Sequence, residues 1–494
     1  MLRLIHCRFV KLLFVLSAVV VFVAPPAAAA EVALPVYAVV VASETLNDPA
    51  WKPVVDALVA KHHATILTYE GSVKNALPLL KNTFPRFACF VTPPEKVTRE
   101  FVAEVHQLTR KLDADPYTDC FWGILTGYDA ANALQIAKEE KPLVVHKAAS
   151  GTDIALNMCD AGVWYCELNK FRMVKKEPGQ APAVGKGPAD TTKSLVDLLN
   201  DYHADLFVTS GHATERDWQI GFRYRNGTFR CQNGQLFGLD TNGQKYPVHS
   251  ENPKVYLPIG NCLMGHIDSR EAMALAFMKS AGVRQMLGYT VNTWYGYAGW
   301  GCLDYFVEQP GRYTFTEAVF ANQHALIHRL QTYFPEIMTA DAEASGRPLK
   351  SLALNEAAKS AGLTAQDAQG LLYDRDVIAF YGDPAWQARM APQQNAWDQK
   401  LTEKEGVWTF EIQPNRGAKT FDPISVNGSQ RGGRPIIQYL PRRFGAVEIV
   451  EGADLKPVVT DDFVLVPNPR KCSPDQTFRV AFREKLQEAQ PVVP

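Results

Sequence analysis

A mixed α/β core followed by a small all-β unit is the fold that this sequence predicts. Three observations carry that reading. Short, apolar, β-branched runs alternate with stretches of helical apolar spacing from residue 36 to about residue 381. Beyond residue 405 the pattern changes to short alternating runs such as VWTFEIQP, DDFVLVP and TFRVAFRE, with no helical spacing among them. The chain has 494 residues, too many for one ordinary core.

Residues 1–30 stand apart from the rest. Arg3, Arg8 and Lys11 precede the apolar run LLFVLSAVVVFVA and then PPAAAA, the order of a secretory signal peptide, with cleavage expected after Ala30. The mature protein is then expected in the periplasm, at the cell envelope or outside the cell. Removing those three cations takes the formal charge from −1 to about −4. Such a balance gives no electrostatic case for nucleic acid or an anionic membrane. No later stretch is long and apolar enough to span a bilayer. Nothing in the sequence specifies an oligomeric state.

An N-terminal α/β subdomain is expected over 31–140. VYAVVVAS is apolar on both faces and reads as a central strand. DPAWKPVVDALVAKHH has helical spacing, and ATILTYE, FACFVTP and CFWGILTGYDA supply further strands, with a helix over 97–112 between the last two. A second α/β subdomain is expected over 141–395. Its strands are KPLVVHKAAS and the runs near 206–209, 255–259, 284–289 and 377–381; its helices lie near 191–202, 269–281 and 316–333. Asn226-Gly227, Asn233-Gly234 and Asn242-Gly243 mark a β-hairpin excursion over 219–250. Residues 405–490 are expected to form a β-sandwich.

Two strand ends carry the chemistry. DLFVTSGHATERDW runs out on Ser210, Gly211 and His212, and VYLPIGNCLMGH runs out on Gly260, Asn261 and Cys262. Open α/β sheets collect reacting groups at the carboxyl ends of their strands. A cysteine nucleophile needs a base to take its proton, and histidine is the side chain suited to that near neutrality. The amides of Ala213 and Cys262 could hold a developing oxyanion. Each residue also has a plainer reading, as a buried small hydrophobe or a surface polar group; the pair at matching strand ends favours catalysis. No zinc-binding pair, phosphate loop, GxSxG elbow or dinucleotide glycine pattern is present, and no metal ligand is assigned. Eight cysteines remain after the signal peptide, without a CxxC pair.

These stretches resemble the gingipain-like cysteine peptidases, relatives of the caspases. That family has Gly-His-Gly-Ser with a tryptophan six residues after the histidine; here Gly211-His212-Ala213-Thr214 leads to Trp218. Its nucleophile follows an apolar strand, as Asn261-Cys262 follows YLPIG. MLGYTVNTWYGYAGWG is similar to the loop that walls the specificity pocket, with Trp294 as the match, and VIAFYGDPAW to the closing strand with Gly382-Asp383-Pro384.

The resemblance implies a caspase/gingipain-like catalytic unit with an immunoglobulin-like domain behind it. It implies a secreted cysteine endopeptidase acting on polypeptides through a Cys262 thioester, with His212 as acid and base. It implies a carboxylate that orients the histidine, for which Asp153 is the candidate, and a buried pocket acid, for which Asp160 is the candidate beside Trp294. No cofactor is required, and a structural calcium ion is compatible with the family. Two departures stand out: Ala213 replaces a glycine, and no long pro-segment lies between the signal and the first strand. A secreted binding or scaffold protein that kept the fold without the catalysis is the competing expectation.

Overall fold

The computed structural model describes residues 36–338, 353–428, 430–473 and 475–485. The expected signal peptide lies outside them.

The apolar runs do become strands. Val39, Val40 and Val41 are buried on both faces of Tyr37–Ala42, which is why β-branched residues fill that strand without alternation. A 12-stranded sheet organises the chain. Its order is Thr65–Tyr69, Tyr37–Ala42, Phe87–Val91, Phe121–Leu125, Ile378–Tyr381, Val283–Tyr289, Lys254–Pro258, Leu206–Thr209, Lys147–Ser150, Ala161–Tyr165, Arg172–Lys176 and Ala183–Lys186. Pairing is parallel from Thr65–Tyr69 through to Ile378–Tyr381. It is antiparallel between Ile378–Tyr381 and Val283–Tyr289, then parallel again as far as Ala161–Tyr165. The two parallel halves therefore run in opposite directions. The carboxyl ends of the second half, those of the Cys262 and His212 strands included, share one edge.

Helices flank this sheet, among them Lys52–His62, Arg99–Thr109, Thr192–Asn200, Met273–Ser280 and Phe315–Tyr333. Phe315–Tyr333 opens with a capping box between Thr314 and Glu317. The hairpin excursion forms a separate four-stranded antiparallel sheet, Asp217–Gln219, Thr228–Gln232, Gln235–Leu239 and Lys245–Pro247. The β-rich tail folds as a four-stranded and a three-stranded antiparallel sheet. Phe410, Ile412, Phe478, Val480 and Phe482 of the first pack with Ile436, Val464 and Val466 of the second.

The run KPLVVHKAAS differs from expectation. It breaks at His146 into Leu143–Val145, which pairs with Ala388–Met390, and Lys147–Ser150, which joins the main sheet. The cause is Asp205, whose Oδ2 accepts from the N–H of both His146 and Lys147 at 2.9 Å. A carboxylate that captures two successive amides turns the chain out of a continuous ladder.

Loop 110–119 meets the 460–462 turn of the tail through a cluster of acids. The carboxylate oxygens of Asp113, Asp115 and Asp461 lie within 4.8 Å of one another. Burial, with Asp113 beside it, pushes the carboxyl of Asp119 up to about 9. Burial likewise raises Asp115 to about 7. A carboxyl held above its unfolded value near 3.9 keeps its proton in the folded chain while the unfolded chain has lost it. Its contribution to stability is complete below about pH 4 and fades as the pH climbs toward 9. Asp119→Asn is therefore expected to raise the melting temperature at pH 8.5 by about 2 °C or more and to change it little at about pH 3. Thermal scans at the two pH values check this.

Candidate active site

Parallel pairing in the register Leu206↔Val255 to Thr209↔Pro258 brings the His212 and Cys262 strands to the same edge as direct neighbours. Asn261 ties the two turns together. It is fully buried; its Oδ1 accepts from Thr209 Oγ1 at 2.6 Å and its Nδ2 donates to the Gly211 carbonyl at 3.0 Å. The loop after Val283–Tyr289 closes over the other side. Thr293 Oγ1 donates to the Asn261 carbonyl at 3.0 Å, and the Thr293 N–H donates to Cys262 Sγ at 3.2 Å. Leu263, directly after the cysteine, has φ +59, a left-handed turn that a non-glycine residue adopts only under local constraint.

The histidine turn has its own support. Trp218 is fully buried and its Nε1 donates to the Ser210 carbonyl at 2.8 Å. That contact explains the tryptophan six residues after His212: it props the turn from beneath. Gly211 takes φ +100, a conformation that favours glycine. Ala213 is not among the residues at positive φ, so its Cβ meets no backbone penalty here. His212 is exposed and its ring stacks on Phe222 at a centroid distance of 4.7 Å. Among the described residues, no side chain is hydrogen-bonded to the imidazole, and none accepts the Ala213 or Cys262 amide.

The remaining expected residues fall differently. Trp294 lies beside Thr293 and is 64% exposed. Tyr297 and Trp300 are buried in a helix, Tyr297–Phe306, that aromatic and glycine content had hidden. Asp153 follows Lys147–Ser150 at the same edge as His212, where its main-chain carbonyl accepts from Asn427 Nδ2 at 3.0 Å; no hydrogen bond joins its carboxylate to His212. Asp160 is not at this edge. It immediately precedes Ala161–Tyr165, at the amino end of that strand, and its carboxylate accepts from His146 Nδ1 at 2.6 Å and from Gln393. A strand of five residues separates the two edges by about 17 Å, so Asp160 does not reach a pocket at Cys262.

Glu167, two residues past the carboxyl end of the same strand, was missed. It is 5% exposed. Thr152 Oγ1 donates to its Oε1 at 2.5 Å, while Oε2 has no partner among the described residues. Burial raises its carboxyl above the usual carboxylate range. Its main-chain carbonyl accepts from Phe222 N–H at 2.8 Å, and Phe222 is the ring under His212.

The eight described cysteines are all unpaired. Cys89, Cys120, Cys159, Cys166 and Cys302 are buried. Burial pushes the thiols of Cys159, Cys231 and Cys302 up to about 12, which keeps them protonated and inert. Cys262 is half-buried. No candidate metal cluster among the described residues includes Cys262 or His212; the one group of acids is that of Asp113, Asp115 and Asp461.

No family model matches the chain, and no curated protein matches it in sequence. Among solved structures, the crystal structure of gingipain R, an Arg-specific cysteine proteinase, is similar. The identity is 12%, over 89% of this chain and 92% of that one, with a TM-score of 0.42. At that level the likeness assigns no residue a role.

Proposed function

We propose that the protein is a cysteine endopeptidase, exported by its N-terminal signal. The observation that carries this reading is the single edge at which adjacent parallel strands deliver His212 and Cys262, with a backbone N–H on the sulfur and two amides beside it that have no partner among the described residues. The Cys262 sulfur, its proton taken by His212, attacks the peptide carbonyl. The Ala213 and Cys262 amides hold the oxyanion. His212 then gives that proton to the leaving amine as the C–N bond breaks, and a thioester remains. Water, deprotonated by His212, attacks the thioester; the acid product leaves and the thiol is restored. Trp294, on the loop that supplies Thr293, borders the cleft. Calcium would serve stability rather than this chemistry, through the acids of the 110–119 loop.

Glu167 replaces Asp160 as the acid for substrate selection. A buried carboxyl with a bare oxygen is stabilised by a cation that reaches it, so the side chain before the cut is arginine or lysine. The test is cleavage of a mixed peptide pool by residues 31 onward, read by mass spectrometry. Cuts after Arg or Lys are expected. Glu167→Gln should lower kcat/KM on those peptides about 100-fold, with iodoacetamide alkylation of Cys262 unchanged. A Glu167→Gln protein with the wild-type preference would contradict this assignment.

A further inference from the structure

One helix end reaches the Cys262 sulfur through a single peptide group. The helix Ala365–Asp374 starts on a capping box between Thr364 and Asp367 and stops shortly before the strand Ile378–Tyr381. The loop over 290–296 leaves the neighbouring strand Val283–Tyr289 and leads into the helix Tyr297–Phe306. Val377 joins the two: its carbonyl accepts from the N–H and from the Oγ1 of Thr290, both at 2.9 Å. The last residues of the helix therefore lie against this loop.

Two of them hold it. Asp374 is fully buried, and its Oδ2 accepts from Tyr289 Oη at 3.0 Å and from the Ala298 N–H at 3.1 Å. Those bonds fix the two ends of the loop. Tyr373, 2% exposed, acts between them, where its Oη donates to the Asn292 carbonyl at 3.0 Å. Burial, with Asp374 beside it, pushes that phenol up to about 12, so it stays a donor through the range in which thiols ionise.

The Asn292 carbonyl and the Thr293 N–H belong to one peptide group. Such a group is planar and trans, so its C=O and N–H point in opposite directions. This N–H is the one that donates to Cys262 Sγ at 3.2 Å. A donor on the carbonyl fixes the direction of the N–H. It also polarises the amide, which strengthens the bond made on the other side. A hydrogen bond to sulfur favours the ionised form that attacks.

We infer that Tyr373 is a positioning residue for the nucleophile: through the Asn292–Thr293 peptide it holds an N–H on Cys262 Sγ and raises the share of thiolate. The inference rests on the peptidase reading for its consequence in catalysis.

The experiment compares the mature chain with Tyr373→Phe, which removes one oxygen and keeps the ring that packs on Tyr295 at a centroid distance of 5.6 Å. Tyr297→Phe is the control. It gives up a 2.8 Å bond to Asp367 on the same helix and none to the Asn292–Thr293 peptide. Alkylation of Cys262 by iodoacetamide is followed by peptide mass spectrometry at pH 7 and pH 10, beside thermal melting and beside kcat and KM on a cleaved peptide. Tyr373→Phe should react about threefold more slowly at pH 7 and at the wild-type rate at pH 10, where thiols of ordinary acidity are ionised in either protein. Altered access to the sulfur would give the same factor at both values. The kcat should fall about tenfold with KM within about twofold of the wild type, because a phenol this buried meets no substrate. Tyr297→Phe should match the wild type throughout. Equal alkylation of the wild type and Tyr373→Phe at pH 7 would overturn the inference, as would a Tyr297→Phe protein slowed by the same factor. The Tyr373 effect in a chain that cuts no peptide would uphold the action on the sulfur and overturn the peptidase reading alone.

Discussion

His212→Ala should lower kcat/KM for peptide hydrolysis by about 10⁴-fold, and Cys262→Ala should abolish turnover. In the proposed mechanism the histidine supplies the proton that the leaving amine needs and removes one from the attacking water, so both halves of that reaction should fail without it. The two residues act as a unit, so the double variant should be no slower than Cys262→Ala alone. The fold should survive both changes. His212 is exposed, and its stacking on Phe222 is the one side-chain contact described for it. The stapling of the two turns belongs to Asn261 instead, through Thr209 and Gly211. Steady-state kinetics beside thermal melting separate these outcomes: a large rate loss with an unchanged melting temperature is expected. Asn261→Ala, in contrast, should lose activity and stability together, because it unties both turns.

Asp383→Ala should cost about 3–5 kcal/mol of stability, the largest loss expected from any single change outside the core hydrophobes. Asp383 is 1% exposed and meets Tyr37 Oη at 2.8 Å, His62 Nε2 at 2.7 Å, Lys61 Nζ at 3.0 Å and the Ala385 amide at 2.9 Å. Removing the carboxylate leaves a buried hydroxyl and two cationic or polar groups without their acceptor. Burial alone would raise this carboxyl, but the His62 hydrogen bond and the Lys61 charge outweigh it and hold it at about 2. A depressed carboxyl stabilises the fold above its unfolded value near 3.9, and that contribution is lost as the pH falls toward 2. Urea unfolding at pH 7 should show the full difference between wild type and variant, and at pH 2.5 the difference should shrink. The Gly-Asp-Pro turn is thus a clamp between Ile378–Tyr381 and the helix Lys52–His62, not part of the chemistry.

Much of this was legible in the sequence, for identifiable reasons. Runs such as VYAVVVAS and DLFVTS can be buried on both faces only as central strands, so their ends, and with them His212 and Cys262, could be placed without coordinates. The acid proposed here for substrate selection could not. Asp160 and Glu167 flank the same short strand, and which of them stands at the edge of His212 and Cys262 depends on the direction of that strand in the sheet. Reading AGVWY as a strand parallel to the His212 strand would have selected Glu167. The helix Tyr297–Phe306 was hidden because Gly299, Gly301 and four aromatic residues weaken any local helical signal, and its stability comes from tertiary burial. The contact between the tail and the loop after Lys147–Ser150 had no local signal at all: Asn427 and Asp153 are 274 residues apart in the chain.

The most direct test of the account is rapid-quench intact-mass spectrometry of the mature chain with an activated peptide ester ending in arginine. The account predicts one acyl adduct on the wild type, mapped to Cys262. It should persist in His212→Ala, where deacylation stalls, and be absent from Cys262→Ala. An adduct on another cysteine, or turnover that survives Cys262→Ala, would contradict it.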